Sequence, residues 1–328
     1  MKLLVAGASE VARLLPMDAC IEAMGEVLVA LARGEALQPL RAVLRPADAP
    51  GLLAVMPSWR GGSEPAFGVK AVGVFHGNAA HGLEAHQGAV MLFSGETGQP
   101  LAVLDASAVT AIRTAAVSAV ATRALALPDA GDLAILGSGV QAGTHLEAIA
   151  CVRAVRRVRV TSRDPEHARA FVGRQAGHFD FPIEAVACAV DAVRGADLVV
   201  TATSSAVPVM EREWLSEGAH LNVVGASLPD RREVDGATVA AAALFVDRRE
   251  SAENEAGDYL LALREGAIRE GHIRAELGDV LVGRHPGRTS PAEITLFKSL
   301  GLAVEDLAAA MLVLRRAQAG HTARWVEL

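Results

Sequence analysis

The chain contains 328 residues, which is more than one small core needs and predicts two domains. Hydrophobic residues make up 51% of the chain and aromatic residues only 4%, so aliphatic side chains must fill a large core. The formal net charge is −7 and the basic residues are scattered, so we expect neither nucleic acid nor a membrane surface as a partner.

The N-terminal segment predicts a short strand and a helical turn, followed by an amphipathic helix over residues 17–33 that ends at Gly34. The first apolar run is short and is interrupted by Glu10 and Arg13, so we expect no signal peptide and no transmembrane helix. Three cysteines have apolar neighbours and no pairing spacing: Cys20, Cys151 and Cys188. We expect all of them to be small core residues of a cytoplasmic protein in a reducing compartment.

Residues 40–105 differ in character, because short apolar runs alternate there with Gly, Pro and Asn. These runs predict strands of a mostly antiparallel sheet at residues 40–44, 52–56, 67–75, 89–93 and 101–104. A tight turn is predicted between the last two strands. A long helix of small residues follows over residues 108–127, and we place the domain boundary near this helix.

A strand, a glycine turn and a helix then follow one another. Residues 132–136 predict a buried strand, and helical periodicity begins soon after them. The turn between them, G-S-G-V-Q-A, fits the dinucleotide-binding pattern G-x-G-x-x-A. Gly137 allows the sharp turn, Gly139 lets the backbone approach a pyrophosphate, and Ala142 lets the helix pack closely on the strand. The amides at the start of the helix offer partial positive charge to the phosphates.

Strand and helix patterns alternate over the rest of the chain. Strand candidates lie at residues 158–161, 183–187, 198–201, 221–224 and 244–246, with helical stretches between several of them. Asp164-Pro165 is a typical helix start, and residues 294–319 predict a strand, a glycine turn and an apolar helix. The pattern predicts an α/β protein with a Rossmann-type, doubly wound parallel sheet and a second, α+β domain.

The end of the second strand of this sheet indicates which nicotinamide cofactor is bound. An acid there binds the ribose diol of NAD, whereas a basic residue accommodates the extra phosphate of NADP. Thr161 and Ser162 occupy the strand end here, and Arg163 follows. We therefore expect NADP(H) to be preferred and NAD(H) to be possible. The alternative is that Arg163 is only a solvated loop charge and that Asp164 is only a helix cap.

Four basic residues before the nucleotide-binding segment are candidates for binding an anion: Arg41, Arg45, Lys70 and Arg113. Lys70 lies in a nearly all-apolar strand, where a lysine needs a partner, and this favours a function. Arg113 lies in an alanine-rich helix with no nearby acid, which indicates a ligand such as a carboxylate. For Arg41 and Arg45 the spacing alone favours surface charges.

Three histidines recur at regular spacing in H-G-N-A-A-H-G-L-E-A-H: His76, His81 and His86. The spacing is neither a helical face nor a usual zinc spacing, so we expect no metal site. The sequence also lacks G-x-S-x-G, a Walker A motif and a paired C-x-x-C.

Several motifs together carry a resemblance to a known family: F-G-V-K-A-V, T-A-I-R-T-A-A-V-S-A-V-A-T, G-S-G-V-Q-A, V-V-G-A-S-L-P-D and F-K-S-L-G-L-A-V-E-D. They resemble the ornithine cyclodeaminase/mu-crystallin family, in order and over nearly the whole chain. The resemblance implies a homodimer whose subunit has an NAD(P)-binding Rossmann domain at residues 116–303. It also implies a substrate-binding and dimerisation domain at residues 1–115 and 304–328.

The resemblance implies roles for individual residues. Arg41, Lys70 and Arg113 would hold the substrate carboxylate. Lys70 and Arg113 are the catalytic candidates, with Lys70 placed to polarise or protonate the substrate. The other residues would contact the cofactor: Thr114, Gly137, Ser138, Gly139, Val140 and Gln141 at the diphosphate, Ser162 and Arg163 at the adenosine ribose or its phosphate, and His86, Thr203, Ser227 and Ser299 elsewhere along it.

Two positions depart from the cyclodeaminase pattern. That pattern has a glutamate and an aspartate where this chain has Ala54 and Ser227, and Asp230, a little further on, is the remaining candidate base and substrate contact. Cyclodeamination needs a general base, whereas an imine reductase needs an anchored carboxylate, a proton source and a hydride donor.

The departures favour an NAD(P)H-dependent reductase of cyclic ketimine amino acids. Such an enzyme converts Δ1-pyrroline-2-carboxylate to proline, or Δ1-piperideine-2-carboxylate to pipecolate. The alternatives are an ornithine cyclodeaminase, an L-alanine dehydrogenase and a non-enzymatic, crystallin-like protein that binds the cofactor.

Overall fold

The computed structural model describes residues 2–83, 85–320 and 323–327, apart from the side chains of His76 and Ala79. The chain divides into two compact units. The first unit contains Met1–Arg113 and Gly301–Leu328, and the second contains Thr114–Leu300. Each unit is built around one eight-stranded sheet.

Helices and strands make up most of both units. The first part of the chain contains β1 (Lys2–Ala6), α1 (Ala8–Leu14), α2 (Met17–Arg33), β2 (Ala36–Leu37), β3 (Ala42–Leu44), β4 (Leu52–Arg60), β5 (Ala66–Val74), β6 (His86–Ser94), β7 (Pro100–Asp105) and α3 (Ala106–Leu125). The remainder contains β8 (Asp132–Leu136), α4 (Val140–Val152), β9 (Arg157–Thr161), α5 (Pro165–Gln175), β10 (Ile183–Ala185), α6 (Ala189–Val193), β11 (Leu198–Thr201), β12 (His220–Val223), α7 (Gly236–Ala241), β13 (Ala243–Val246), α8 (Arg249–Glu255), α9 (Gly257–Arg264), β14 (Ile273–Glu276), α10 (Leu277–Leu281), β15 (Thr295–Lys298), α11 (Ala303–Gln318) and β16 (Arg324–Glu327). Short 3-10 helices lie at His76–His81 and Arg212–Trp214.

The sheet of the first unit has the strand order β16-β1-β7-β6-β5-β4-β2, and β3 also pairs with β4. Its pairs are antiparallel except for the parallel pair of β1 and β7. Buried side chains alternate along β4, β5 and β6 with side chains that are exposed or half-buried, so this sheet has one covered face. Helix α11 packs on these strands and against α2. The helix and the covered face of the sheet together form the core of this unit.

The sheet of the second unit is parallel throughout, with the strand order β10-β9-β8-β11-β12-β15-β13-β14. Its central strands are buried along their whole length, as expected for a sheet covered on both faces. The direction of strand addition reverses between β8 and β11, which makes this the topological switch point at which such sheets bind ligands. The predicted fold class, a Rossmann-type sheet with a second α+β unit, is confirmed.

Several predicted elements are confirmed, and not every strand was predicted. Helix α2 covers the predicted residues and ends at Gly34, whose φ of 77° is left-handed. Strand β14 was not predicted, because its sequence I-R-A-E lacks a buried-strand pattern. Strand β15 lies between β12 and β13 in the sheet, although it follows both of them in the chain. Lateral strand order depends on distant pairing, which a local pattern does not encode.

Helix α3 is long and apolar enough, by length and composition, to cross a membrane. However, 67% of its apolar 18-residue stretch is buried inside the protein. A core helix passes the same test, so one such helix is weak evidence for a membrane span.

The expectation that all cysteines lie in the core is wrong for two of them. Cys20 is buried in α2, but Cys151 and Cys188 are exposed. Cys151 lies in α4 outside the packed face that contains Leu146 and Ile149. Cys188 is the N-cap residue of α6, where its thiol lies 2.9 Å from a carboxylate oxygen of Asp191. Apolar neighbours in sequence therefore did not indicate the side of the element on which these residues lie.

Candidate active site

A buried lysine marks the covered face of the sheet in the first unit. Lys70 lies in β5 and is only 4% exposed. Its Nζ lies 2.8 Å from Oδ2 of Asp306 and donates a hydrogen bond of 3.4 Å to Oγ1 of Thr110. Burial lowers the pKa of Lys70 to about 8, against the opposing effect of the Asp306 charge. A lysine with this pKa can release a proton near neutral pH, as a general acid must.

Two arginines lie beside this lysine. Arg113 is 3% exposed and donates from Nε to Oδ1 of Asp306 at 2.9 Å and from Nη1 to Oε2 of Glu305 at 2.8 Å. Gly301 packs against its guanidinium, since a Cβ there would lie 2.5 Å from Nη1. The half-buried Arg41 donates from Nη2 to the carbonyl oxygen of Gly301 at 3.3 Å. The structure therefore brings together the cations that were expected to anchor a carboxylate, including Arg41, for which spacing alone favoured the surface.

The cations are held by Glu305 and Asp306 in the first turn of α11. Both acids are buried, with exposures of 0% and 1%. Burial alone would raise the pKa of Asp306, but Arg113 and Lys70 hold it below its usual value. Sequence reasoning missed the role of both acids for two reasons. Acids in the first turn of a helix are ordinary dipole partners, and these two lie 192 and 193 residues from Arg113.

The glycine turn between β8 and α4 has a geometry that suits a dinucleotide. Gly137 has a φ of 116°, and a Cβ on it would lie 2.4 Å from the carbonyl oxygen of Ala202, so only glycine fits there. Gly139 caps α4 in an extended conformation, and a Cβ on it would meet nothing within 4 Å. Oε1 of Gln141 is buried and has no hydrogen-bond partner among the described residues. These residues fit a pyrophosphate at the start of the helix.

The loop after β9 presents a hydroxyl group and a cation. Ser162 is half-buried there and Arg163 is exposed. Oδ1 of Asp164 accepts a hydrogen bond of 2.9 Å from the amide of Glu166 and so caps α5. The nearest carboxylate is therefore engaged with its own helix, which leaves Ser162 and Arg163 at the strand end.

A buried carboxylate, Glu233, joins the loops that follow β11 and β12. Its Oε1 accepts hydrogen bonds from the amide and the hydroxyl of Thr203 at 2.6 and 2.7 Å. Its Oε2 accepts from the hydroxyl of Thr201 at 2.8 Å and from the amide of Gly225 at 2.6 Å. Burial raises the pKa of Glu233, and the charge of Lys298 opposes that effect. Sequence reasoning missed Glu233, because an acid in the polar segment P-D-R-R-E resembles an ordinary loop charge.

The other predicted residues lie at several places. Thr114 is buried in α3, and Ser299 is buried after β15 with its hydroxyl unpaired among the described residues. Ser138 is half-buried, and Val140 is 61% exposed at the start of α4. Four more residues are exposed: Arg45 and His86 in the first unit, Ser227 and Asp230 in the second. Contacts of these residues with a ligand remain predictions.

Neither position that departs from the cyclodeaminase pattern carries a proton-transfer group comparable to a carboxylate. Ala54 is buried in β4. It lies on the same face of the sheet as Lys70, because Met56, two residues further along β4, pairs with Lys70 of β5. Ser227 is exposed in the loop after β12. In the part of the chain that the structure describes, no group of three or more His, Cys, Asp or Glu residues could hold a metal ion.

Known sequences place the chain among related enzymes. The model of the ornithine cyclodeaminase/mu-crystallin family matches residues 1–321. The chain is 41% identical over 280 residues to the ketimine reductase mu-crystallin of Mus musculus, covering 85% of each protein. It is 37% identical over 316 residues to a Δ1-pyrroline-2-carboxylate reductase of Bacillus cereus, covering 96% of this chain and 97% of the relative.

Two solved structures share the fold over nearly the whole chain. The Δ1-pyrroline-2-carboxylate reductase of Thermococcus litoralis, in complex with NADH and L-proline, has a TM-score of 0.94 and 36% identity, covering 98% of this chain and 99% of that one. An archaeal alanine dehydrogenase dimer with bound NAD has a TM-score of 0.93 and 32% identity, covering 100% and 99%. Both of these structures hold a nicotinamide cofactor.

Replacing Asp306 with Asn should destabilise the first unit strongly. Lys70 and Arg113 would then share no carboxylate in a buried site. Removing one partner of a buried ion pair costs about 3–5 kcal/mol of unfolding free energy. We expect the thermal unfolding midpoint of Asp306→Asn, measured by circular dichroism, to fall by roughly 5–15 °C.

Glu64→Gln is the matched control, since Glu64 pairs with Arg315 at 3.8 Å on the surface. An exposed pair of this kind contributes about 1 kcal/mol or less. Equal unfolding midpoints for the two variants would show that Asp306 does not stabilise the buried cations.

Proposed function

The chain belongs to the ornithine cyclodeaminase/mu-crystallin family, and on this premise we propose that it is an NAD(P)H-dependent reductase of cyclic ketimine amino acids. The proposed substrates are Δ1-pyrroline-2-carboxylate and Δ1-piperideine-2-carboxylate, and the products are proline and pipecolate. The observation that carries the proposal is the buried cluster of Lys70, Arg113 and Asp306 beside Arg41. Relatives named for ketimine reduction and for pyrroline-2-carboxylate reduction support it.

The cation cluster suits a substrate that carries a carboxylate. A guanidinium group matches the two oxygens of a carboxylate with paired hydrogen bonds, and Arg41 and Arg113 both contact Gly301. Lys70 carries its proton below about pH 8 and can deliver it to the imine nitrogen. When bound, the reduced nicotinamide supplies the hydride that adds to the imine carbon. Proton and hydride together convert the C=N bond into a CH–NH group.

The residues at two positions favour reduction over cyclodeamination. A cyclodeaminase needs a base to take a proton from the substrate amine, whereas imine reduction delivers a proton. Ala54 has no titratable group, and the hydroxyl of Ser227 is a weak base. Asp230 is exposed in the turn after β12, and its role as a base or substrate contact stays a prediction. In this proposal, Lys70 supplies the proton that imine reduction requires.

The first experiment is a substrate panel in which NADPH and NADH oxidation is followed by the loss of nicotinamide absorbance. We expect rapid oxidation with Δ1-pyrroline-2-carboxylate and with Δ1-piperideine-2-carboxylate, and slower oxidation with pyruvate plus ammonia. L-ornithine with NAD+ should release no ammonia. Ammonia release without imine reduction would instead identify a cyclodeaminase, and fastest turnover with pyruvate an alanine dehydrogenase.

The same assay tests Lys70 as the proton source. Lys70→Met should lower kcat/KM by about 10²–10⁴-fold, which is the usual contribution of a positioned general acid. In the wild-type enzyme, kcat/KM should be constant at lower pH and fall as the pH rises through about 8, because Lys70 loses its proton there. Lys2→Met changes an exposed lysine and is the control. A wild-type profile that stays flat to about pH 10 would contradict this assignment.

We propose that NADP(H) is preferred and that NAD(H) is accepted. The exposed Arg163 can pair with the additional phosphate of NADP, and the carboxylate of Asp164 is engaged as a helix cap. Acceptance of NAD(H) is supported by the solved relatives that hold NADH or NAD.

Arg163→Ser should change the KM values for NADPH and NADH unequally. We expect the KM for NADPH to rise about tenfold to a hundredfold, since a hydrogen bond to a charged group contributes about 1.5–3 kcal/mol. The KM for NADH should change by less than about twofold, because NADH has no such phosphate. Arg169→Ser is the control, since Arg169 is exposed in α5 and pairs with Glu166. Equal effects on both cofactors would exclude Arg163 as the selector.

We propose that two copies of the chain associate through the outer face of the first unit's sheet. We define this face by the apolar residues of β4, β5 and β6 that alternate with the buried ones: Leu53, Val55, Pro57, Phe67, Val69, Ala71, Ala89, Met91 and Phe93. Leu53 is 43% and Phe67 is 47% exposed in the single chain. A contiguous apolar face of this kind marks an association surface. The dimeric structure of the archaeal alanine dehydrogenase supports the proposal.

Val69→Glu should convert the dimer into a monomer, because Val69 pairs with Pro57 on one side and with Met91 on the other, within the outer face. A charge buried there would lack a partner. The molar mass is measured by light scattering after gel filtration. Val207→Glu is the control, since Val207 is 65% exposed in the second unit. A dimeric Val69→Glu would place the interface elsewhere.

We also propose that the enzyme works in the cytoplasm. Its cysteines are present as thiols, and Cys151 and Cys188 are exposed. Exposed thiols persist in a reducing compartment.

A further inference from the structure

One carboxylate holds together the loops that follow β11 and β12. Glu233 is 0% exposed and accepts hydrogen bonds from the hydroxyls of Thr201 and Thr203 and from the amides of Thr203 and Gly225. The two loops touch at Gly225, where a Cβ would lie 2.1 Å from the carbonyl oxygen of Thr203. The hydrogen bonds of Glu233 therefore fix both loops at their point of closest approach.

A buried ion pair supports Glu233 and holds the same segment a second time. Oδ1 of Asp258 accepts hydrogen bonds from the amides of Glu233 and Val234 at 2.8 and 3.1 Å. Oδ2 of Asp258 lies 2.9 Å from Nζ of Lys298, and this Nζ also donates to the carbonyl oxygen of Ala226 at 2.5 Å. In the segment after β12, Glu233 therefore binds the amide of Gly225, and Lys298 binds the carbonyl oxygen of the next residue, Ala226.

These loops lie at the edge of the parallel sheet where ligands bind. Strand β11 pairs with β8 on one side and with β12 on the other. The glycine turn after β8 touches the loop after β11, because a Cβ on Gly137 would lie 2.4 Å from the carbonyl oxygen of Ala202. If this turn binds the diphosphate, the loops after β11 and β12 are the next surfaces along the edge, where the nicotinamide half extends.

We propose that Glu233 is a positioning residue that fixes the loops after β11 and β12 against the nicotinamide half of the cofactor. The inference rests on the proposed function in one respect, since it takes the second unit to bind NAD(P)H. Glu233 acts through Thr203 and through the segment at Gly225, and it does not touch the reacting atoms. Hydride transfer depends steeply on geometry, and a displacement of about 1 Å lowers a rate about a hundredfold.

Glu233→Gln separates this role from the filling of the core. The two side chains have the same shape, but the amide NH2 group of glutamine cannot accept a hydrogen bond. The carboxylate accepts from the amide of Thr203 through one oxygen and from the amide of Gly225 through the other. In the variant, the NH2 group replaces one of these oxygens, so one of the two amides loses its acceptor. One loop is then released while the packing volume is unchanged.

The experiment compares Glu233→Gln with the wild-type enzyme and with Glu265→Gln. Glu265 is a matched control in the same unit, where it pairs with Arg232 at 2.7 Å. The dissociation constants of NADH and NADPH are measured by titrating nicotinamide fluorescence. The kinetic isotope effect is measured with cofactor deuterated at the transferred position. Thermal unfolding is measured in parallel.

We expect Glu233→Gln to weaken binding of the reduced cofactor by about fivefold to tenfold and to lower kcat by about tenfold to a hundredfold. The KM for the imine should stay within about twofold, since the carboxylate anchors lie in the first unit. The deuterium isotope effect should rise as hydride transfer becomes rate-limiting. Glu265→Gln should change none of these values.

A second pair of variants keeps the inference testable if Glu233→Gln does not fold. Thr201 is buried and donates one of the hydrogen bonds to Glu233. Thr201→Val removes this bond at nearly constant volume, and Thr201→Ser keeps the hydroxyl. We expect Thr201→Val to show a smaller version of the Glu233→Gln effects, and Thr201→Ser to match the wild type.

A lower unfolding midpoint with unchanged cofactor binding and an unchanged isotope effect would overturn the inference, because Glu233 would then be structural only. Equal cofactor binding by Thr201→Val and Thr201→Ser would overturn it in the same way. If the wild type binds NAD(P)H but reduces none of the imines, the proposed function fails, while weaker cofactor binding by Glu233→Gln still supports the inference. A wild-type protein that binds neither cofactor would overturn both.

Discussion

The carboxylates at the start of α11 make the cation cluster of the first unit possible. Lys70 and Arg113 are almost completely buried, and a buried cation without a counter-charge either loses its proton or destabilises the fold. Glu305 and Asp306 supply that counter-charge at 2.8–2.9 Å. Burial nevertheless keeps the pKa of Lys70 at about 8. The lysine is therefore stable enough to be kept inside the unit and acidic enough to release a proton near neutral pH.

The second unit meets a related constraint at the edge of its sheet. The loops there follow the ends of the strands, where such sheets bind ligands, and they lack the strand partners that would hold them in place. Glu233 satisfies several of these donors at once, because an ionised carboxylate offers two oxygens and no donor of its own. The charge of Lys298 offsets part of the cost of burying it, whereas the charge of Asp258 adds to that cost. In both units, buried acids whose role sequence reasoning missed hold the residues that form the candidate sites.

The same scaffold can serve different reactions because the cations that suit a carboxylate and the additional bases of a cyclodeaminase occupy separate positions. The cations Arg41, Lys70 and Arg113, which we propose as anchors, lie together in this chain, and they suit any substrate with a carboxylate. The positions that would carry additional bases hold Ala54 and Ser227. Lys70 remains as a buried proton donor while these two positions carry no carboxylate, and this favours imine reduction over cyclodeamination.

The sequence by itself determined the local features: the extent of α2, the strands around Lys70, the glycine turn at Gly137 and the fold class. These follow from periodicity and from backbone conformations that only glycine adopts, and both are properties of neighbouring residues. The sequence also showed that Lys70 and Arg113 need partners, because isolated charges are costly in apolar segments.

Only the tertiary structure decided which partners these residues have. Asp306 lies 193 residues from Arg113, and Glu233 lies 30 residues from the Thr203 that it holds. The place of β15 inside the sheet and the exposure of Cys151 and Cys188 were likewise decided by the fold. Sequence patterns report what each segment prefers locally, whereas ion pairs, strand order and exposure depend on which distant segments the fold brings into contact.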